Sequence, residues 1–205
     1  MTKDHTMTAS SASRSRLLRA ASTAERSTKH KVRHKCFLSY HGTDADEVST
    51  FLEEHGAAFI PRVIGVNEDD PFIDSDDDDY VIGQIQQKYM WDSTVTIVLI
   101  GGCTWARRFV DWEIYSSLRH DSNNKLNGLL AVQLPSVDGE TPRLPPRLVS
   151  NLPKEGGEAY ARYCRYPNSE YSLRGWIQDA FDARSSRRDL IAPAAKRRRC
   201  NSACS

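Results

Sequence analysis

Short apolar runs and segments with helical spacing alternate along most of the chain. Residues 94–100 (TVTIVLI) are β-branched or Leu throughout, which is typical of a strand buried on both faces of a parallel sheet. Gly101 and Gly102 follow, and we expect a turn with positive φ there, because glycine adopts such angles without a steric cost. The next apolar positions recur at helical spacing and predict a helix: Trp105, Phe109, Trp112, Ile114 and Leu118.

Four further apolar runs predict the remaining strands of the sheet. The first and the fourth strand of the chain are expected at residues 35–40 and 128–134. Residues 57–66 predict an edge strand or an interrupted one, because Pro61 has no N–H to donate to a ladder. A short edge strand is expected within residues 159–166.

Helical spacing recurs in three other places, about residues 44–55, 79–91 and 172–183. Thr43 or Asp44 is placed to cap the first of these helices, and the proline-rich residues 135–157 predict a long surface loop. Strands that alternate with helices predict an α/β fold with a mainly parallel sheet and helices on both faces.

Charge is strongly segregated along the 205 residues. The first 35 residues carry a formal charge of +7 and residues 184–205 carry +6, so a total of +1 leaves −12 for residues 36–183. A nucleic-acid-binding domain carries its basic face on the fold, so no specific nucleic-acid partner is expected. We predict one domain at residues 34–183 between two disordered basic tails, 1–33 and 184–205.

The chain contains five cysteines, an odd number, and none of them forms a CxxC pair. This usage predicts reduced cysteines in a cytoplasmic protein. No run of about 18 apolar residues predicts a membrane span, and the N-terminus lacks the apolar core of a secretory signal.

A strongly acidic stretch has eight carboxylates between Glu68 and Asp79. A Ca²⁺ loop is the specific hypothesis, but neither the Gly nor the terminal Glu of an EF-hand stands at the required offset. We therefore predict no metal ligands and interpret the stretch as an exposed acidic loop that leads into a helix.

Candidate chemistry lies where predicted strands end, since no GxGxxG, P-loop, HExxH or GxSxG motif is present. Because parallel strands end at one edge of a sheet, Ser39, His41, Trp105 and Glu113 are expected to share a cleft. A carboxylate walled by Trp105 and Trp112 would be partly desolvated, which suits acid–base or charge-stabilising work. The alternative is a solvated glutamate, a loop histidine and core aromatics.

Four segments within residues 34–183 resemble the TIR-like domains of bacteria, and most closely the family of the signal-generating subunit of the Thoeris anti-phage system. They are FLSYH at 37–41, FIDS at 72–75, DSTVTIVLIG at 92–101 and TWARRFVDWEI at 104–114. The resemblance implies a three-layer flavodoxin-like fold with a central sheet of about five strands. It also implies cleavage of the nicotinamide–ribose bond of NAD, which is a substrate here and not a cofactor.

The resemblance places Glu113 at the position of the catalytic glutamate, which holds the ribose hydroxyls and stabilises an oxocarbenium-like ribose. Around it we predict a set of substrate-binding residues: Ser39, His41, Asp74, Trp105, Arg108 and Trp112. One departure from the family is the run Asp76–Asp79 near the substrate mouth, which should repel the phosphates of NAD unless a cation, Arg107 or Arg108 compensates.

The family also implies self-association and a cyclic ADP-ribose-type product that activates a separate effector protein. The alternative function is a non-catalytic TIR-like module that binds protein partners, because a fold does not by itself establish an activity.

Overall fold

The structure, a computed structural model, describes residues 10–30, 32–63, 90–120, 125–193 and 195–204. Within these ranges the chain forms five strands: β1 (Lys35–Ser39), β2 (Ile60–Val63), β3 (Val95–Ile100), β4 (Gly128–Gln133) and β5 (Arg162–Cys164). They form one parallel sheet in the order β2-β1-β3-β4-β5. The predicted α/β, flavodoxin-like class with its sheet of about five parallel strands is confirmed.

The position of each strand in the sheet follows from its sequence. Every residue of β3 and β4 is buried, as expected for central strands covered on both faces. Strand β2 lies at one edge of the sheet, and its Pro61 is paired in register with Cys36 of β1. Because no described strand lies on the other side of β2, the missing N–H of Pro61 breaks no second set of strand hydrogen bonds. At the other edge lies the short strand β5, as predicted.

Helices cover both faces of the sheet. They are α1 (Ser11–Arg26), α2 (Ala45–His55), α3 (Arg108–Ser117), α4 (Pro146–Val149) and α5 (Glu170–Ser186). One apolar cluster joins α1, α2 and α5 to strand residues such as Leu38 and Ile97. The other joins α3 and α4 to Val98 and Ile100, because successive strand residues point to opposite faces. Among the described helices, none has the length and apolarity needed to cross a membrane.

The prediction of a disordered N-terminal tail is wrong for residues 11–26. Ser10 caps α1 by accepting a hydrogen bond from the Ser13 N–H at 3.1 Å. The helix buries Leu17 and three alanines, Ala20, Ala21 and Ala24. Alanine has the highest helix propensity, and its small side chain allows close packing against α2. The buried face of α1 consists mainly of alanine, so the pattern of large apolar residues did not predict this helix.

The prediction of a disordered C-terminal tail is also wrong for the described residues. Helix α5 continues to Ser186, and residues 195–204 lie against the rest of the domain. A disulfide joins Cys103 to Cys204, so the prediction that all cysteines are reduced does not hold for this pair. Sequence spacing gave no indication of the pairing, because 101 positions separate the two residues.

Two local predictions are corrected by the backbone. Gly101 and Gly102 do not have positive φ angles; among described glycines only Gly139 and Gly156 do. The proline-rich residues 135–157 contain the short helix α4, whose Leu148 is fully buried, so this segment is not wholly a surface loop. The predicted helix at 79–91, up to residue 89, and the acidic stretch 68–79 lie outside the described residues.

Candidate active site

The carboxyl ends of β1 and β3 meet at one edge of the sheet, as parallel neighbours must. Ser39 is the last residue of β1 and is paired with Val98 in the register. Tyr40 and His41 follow it, and α3 returns across the sheet from the end of β3. This arrangement brings α3 and the end of β1 together, so the predicted site has a defined location.

Among the described acids at this edge of the sheet, Glu113 has the pKa furthest from its ordinary value. Its side chain lies in the protein interior, and the residue is 6 % exposed. Burial raises the pKa of its carboxyl group to about 8, and the nearby Ser39 hydroxyl partly opposes the rise. Neither Ser39 Oγ nor Glu113 Oε2 makes a hydrogen bond of ordinary geometry within the described residues. The carboxyl group is therefore protonated at neutral pH, and the hydroxyl near it has no hydrogen-bond partner among the described residues.

Tyr40 is the second neighbour of this carboxyl group. Burial raises the pKa of its phenol, and the charge that Glu113 carries when ionised raises it further. The phenol therefore remains a neutral hydrogen-bond donor throughout the physiological range. Tyr40 was not among the site residues predicted from the sequence, although it stands between Ser39 and His41, which were.

His41 lies in a neighbouring group at the same edge. Its Nδ1 is 2.5 Å from the Thr43 hydroxyl, and the residue is buried. Burial and the positive charge of Arg107 lower the pKa of the imidazole to about 4, so the ring is neutral at physiological pH. Arg107 Nε is buried and has no hydrogen-bond partner in the part of the chain that the structure describes.

Asp44 is a second acid with a shifted pKa at this edge, and the sequence pattern predicted only a helix-capping role for it. It occupies the N-cap position of α2 but makes no capping hydrogen bond through its side chain. Its carboxyl group turns towards the residues that follow β3, where Thr104 Oγ1 lies 3.4 Å from Oδ2. Burial raises its pKa to about 6, with Thr43 and Thr104 opposing the rise. A Cβ at Gly101 would stand 2.3 Å from Asp44 Oδ2, so this glycine makes room for the carboxylate.

The predicted tryptophans and Arg108 interact mainly with other parts of the chain. The guanidinium of Arg143 lies 3.6 Å from the ring centre of Trp105. That of Arg108 lies 5.2 Å from the ring of Trp112, whose Nε1 donates a 2.8 Å hydrogen bond to the Arg198 carbonyl. Of the predicted residues, Ser39 lies near Glu113, His41 belongs to the adjacent group, and Asp74 lies outside the described residues.

Comparison with known proteins identifies the family of this domain. Residues 37–138 match a family model described as "Thoeris protein ThsB, TIR-like domain". The match extends from β1 past the end of β4 and includes Ser39, Asp44 and Glu113. A search of curated proteins finds no significant match to the chain.

Proposed function

We propose that this chain, whose residues 37–138 form a TIR-like domain of the Thoeris ThsB family, cleaves the nicotinamide–ribose bond of NAD in anti-phage defence. The observation that carries the proposal is the buried Glu113 carboxyl group near the Ser39 hydroxyl, which has no hydrogen-bond partner in the described part of the chain. A buried acid with a strongly shifted pKa at the edge where α/β folds bind ligands is a candidate catalytic group.

The charge of the substrate explains how a protonated Glu113 would become active. The nicotinamide ring of NAD is a cation, and a positive charge near a carboxyl group favours the ionised form. Substrate binding would therefore lower the pKa of Glu113 from about 8 and convert the acid to a carboxylate. The negative charge would then lie in a site with little water, where it stabilises an oxocarbenium-like ribose most effectively.

The reaction is a substitution at the ribose carbon that carries nicotinamide. The carbon–nitrogen bond breaks and its electron pair leaves with nicotinamide, which becomes neutral. A new bond then forms from water, giving ADP-ribose and a proton, or from an atom of the same nucleotide, giving a cyclic product and a proton. We propose cyclisation, because the 6 % exposure of Glu113 indicates a site that admits little water.

Arg107 supplies positive charge for the diphosphate of NAD in this proposal. Its charge acts on His41 and Asp44, and its Nε has no partner among described residues. His41 is neutral at physiological pH and therefore adds hydrogen-bonding capacity without a further charge. We also propose Trp105, Arg108 and Trp112 as substrate-binding residues. In the structure they contact Arg198 and Asn201 near the C-terminus, so their access to NAD depends on where those residues lie.

The test is product analysis after incubation of the purified chain with NAD. Chromatography with mass detection separates nicotinamide, ADP-ribose and a cyclic product that is lighter than ADP-ribose by one water. The assay is run with the chain alone and with lysate of phage-infected cells, because family members act after assembly or a trigger. Release of nicotinamide with the lighter product supports the proposal, and a folded chain inactive in both conditions supports the interaction module instead.

A further inference from the structure

Residues 195–204, here called the C-terminal segment, run along the start of α3. The Ser202 N–H donates to the Ala106 carbonyl at 2.9 Å. Asn201 Oδ1 accepts the Arg108 N–H at 2.9 Å, which satisfies one of the free donors in the first turn of α3. The segment therefore contacts the helix that carries Glu113 at its first turn.

Arg198 attaches the middle of the C-terminal segment to the same helix. Its N–H donates to Asp111 Oδ2 at 3.0 Å, and its carbonyl accepts from Trp112 Nε1 at 2.8 Å. Its guanidinium donates to the Trp105 carbonyl at 2.9 Å. Three contacts from one residue fix the direction of the segment across α3.

The start of the segment is held by a buried ion pair. Arg147 donates to both carboxylate oxygens of Asp111, and its two terminal nitrogens also donate to the carbonyls of Ala195 and Lys196 at 3.2 Å each. A cavity of about 390 Å³ lies beside the start of the segment. The cavity is lined by residues from α3, from α4 and from the segment, including Tyr115, Pro146 and Lys196.

The far end of the segment is fixed covalently. Cys204 is joined to Cys103, which follows β3 and precedes the turn that leads into α3. Without this bond the segment would be a short chain with four consecutive cations, residues 196–199, and few apolar side chains. Such a composition does not order itself, so the disulfide supplies the constraint that keeps the hydrogen bonds formed.

We propose that the Cys103–Cys204 disulfide is a redox-modification site, and that a thiol reductant of the glutathione or dithiol class opens it to release the C-terminal segment. In the exchange, two reductant thiols are oxidised to one disulfide, and Cys103 and Cys204 each gain a proton and become thiols. The release exposes the first turn of α3 and frees the indole N–H of Trp112 from the Arg198 carbonyl.

The consequence for activity rests on the proposed function. Trp105, Arg108 and Trp112 belong to the predicted substrate-binding set. The C-terminal segment contacts the main chain of Trp105 and Arg108 and the indole N–H of Trp112. In this proposal the segment occupies the Trp112 indole N–H in the oxidised chain, and reduction frees that N–H to contact NAD. Release of the C-terminal segment is measured in the absence of NAD, so its outcome does not depend on whether the chain cleaves NAD.

Limited trypsin digestion of the full chain measures release, since trypsin cuts after the cations at 196–199. After quenching in denaturant with reductant, intact mass gives the rate at which residues from 200 onward are lost. We expect cleavage about tenfold faster in reduced, alkylated wild type and in Cys204→Ser than in the oxidised chain. Cys200→Ser is the matched control, because Cys200 is an exposed free thiol of the same segment, and it should match the oxidised wild type.

Equal cleavage rates in the oxidised and reduced wild type would overturn the proposal. Thiol mapping that finds Cys103 and Cys204 unpaired in protein purified without reductant, or Cys103 paired with Cys200, would also overturn it. A redox-dependent cleavage rate in a chain that never cleaves NAD would support the proposal and contradict the proposed function.

Discussion

The carboxylate of Asp111 accepts two hydrogen bonds from Arg147, one from Nε at 2.9 Å and one from Nη2 at 3.1 Å. The two side chains are 11 % and 7 % exposed, so this is a buried ion pair. It joins α3 to α4 and, through the remaining Arg147 donors, to the C-terminal segment. A residue within the predicted proline-rich loop thereby stabilises the helix that carries Glu113.

Replacing Arg147 should destabilise the fold strongly. Arg147→Met leaves the Asp111 charge buried without its partner, and we expect a loss of about 3 kcal/mol in the free energy of unfolding. Urea denaturation measures this loss. Arg16→Met is the control, since the Arg16–Glu53 pair is exposed to solvent and its loss should destabilise the fold much less. Equal losses in the two variants would contradict the buried-pair interpretation.

Two adjacent glycines should respond differently to alanine. A Cβ at Gly101 would stand 2.3 Å from Asp44 Oδ2, whereas one at Gly102 meets nothing within 4 Å. Gly101→Ala should cost about 1–3 kcal/mol and displace the Asp44 carboxylate. Gly102→Ala should change stability by less than about 1 kcal/mol, because the position has no positive φ. Thermal unfolding of both variants checks the difference, and a costly Gly102→Ala would contradict it.

The buried Glu113 carboxyl group makes stability depend on pH with a defined sign. Its pKa is about 8 in the folded chain and near 4.5 when unfolded, so the folded state binds more protons between these values. Wild-type stability should therefore fall relative to Glu113→Gln as pH rises from about 4.5 to 8, by up to roughly 5 kcal/mol. Paired urea titrations from pH 5 to 9 measure this difference. A difference that does not change with pH would show that Glu113 is not desolvated.

The same pKa predicts the pH dependence of NAD cleavage. If ionised Glu113 is the active form, kcat/KM should rise with pH and level off near 8, because this quantity reports the free enzyme. Below that value the rate should fall about tenfold per pH unit. Initial rates at low NAD concentration from pH 6 to 9 provide the profile. A flat profile, or one that falls as pH rises, would contradict a carboxylate mechanism.

Much of the sheet could be predicted from sequence because its strands carry local signals. The continuous apolar run of β3 and the proline in β2 gave a central and an edge position, and both are confirmed. Glu113 was selected by its place among aromatics on the helix after β3 together with the family resemblance of residues 104–114. Its burial could not be read from the pattern, since burial depends on how α3 lies against the end of β1.

The parts that sequence analysis missed depend on long-range contacts. Helix α1 packs through alanines, which are weak signals in a hydrophobic pattern. Cys103 and Cys204 are 101 positions apart in the chain. Nothing in the basic sequence around Arg198 indicates that its N–H binds the Asp111 carboxylate. The sequence around Asp44 predicts a helix cap, but its side chain makes no capping hydrogen bond. Its carboxylate lies against Gly101, which is distant in sequence.

The most direct test of the central claim is nicotinamide release from NAD by Glu113→Gln compared with Glu158→Gln. Glu158 is an exposed glutamate on the same chain and controls for the loss of one carboxyl group. Both variants are assayed in the condition that activates the wild type, with the reduced chain included. We predict that Glu113→Gln lowers kcat by at least about a hundredfold while Glu158→Gln retains wild-type turnover. Wild-type turnover in a folded Glu113→Gln variant would contradict the assignment of catalysis to Glu113.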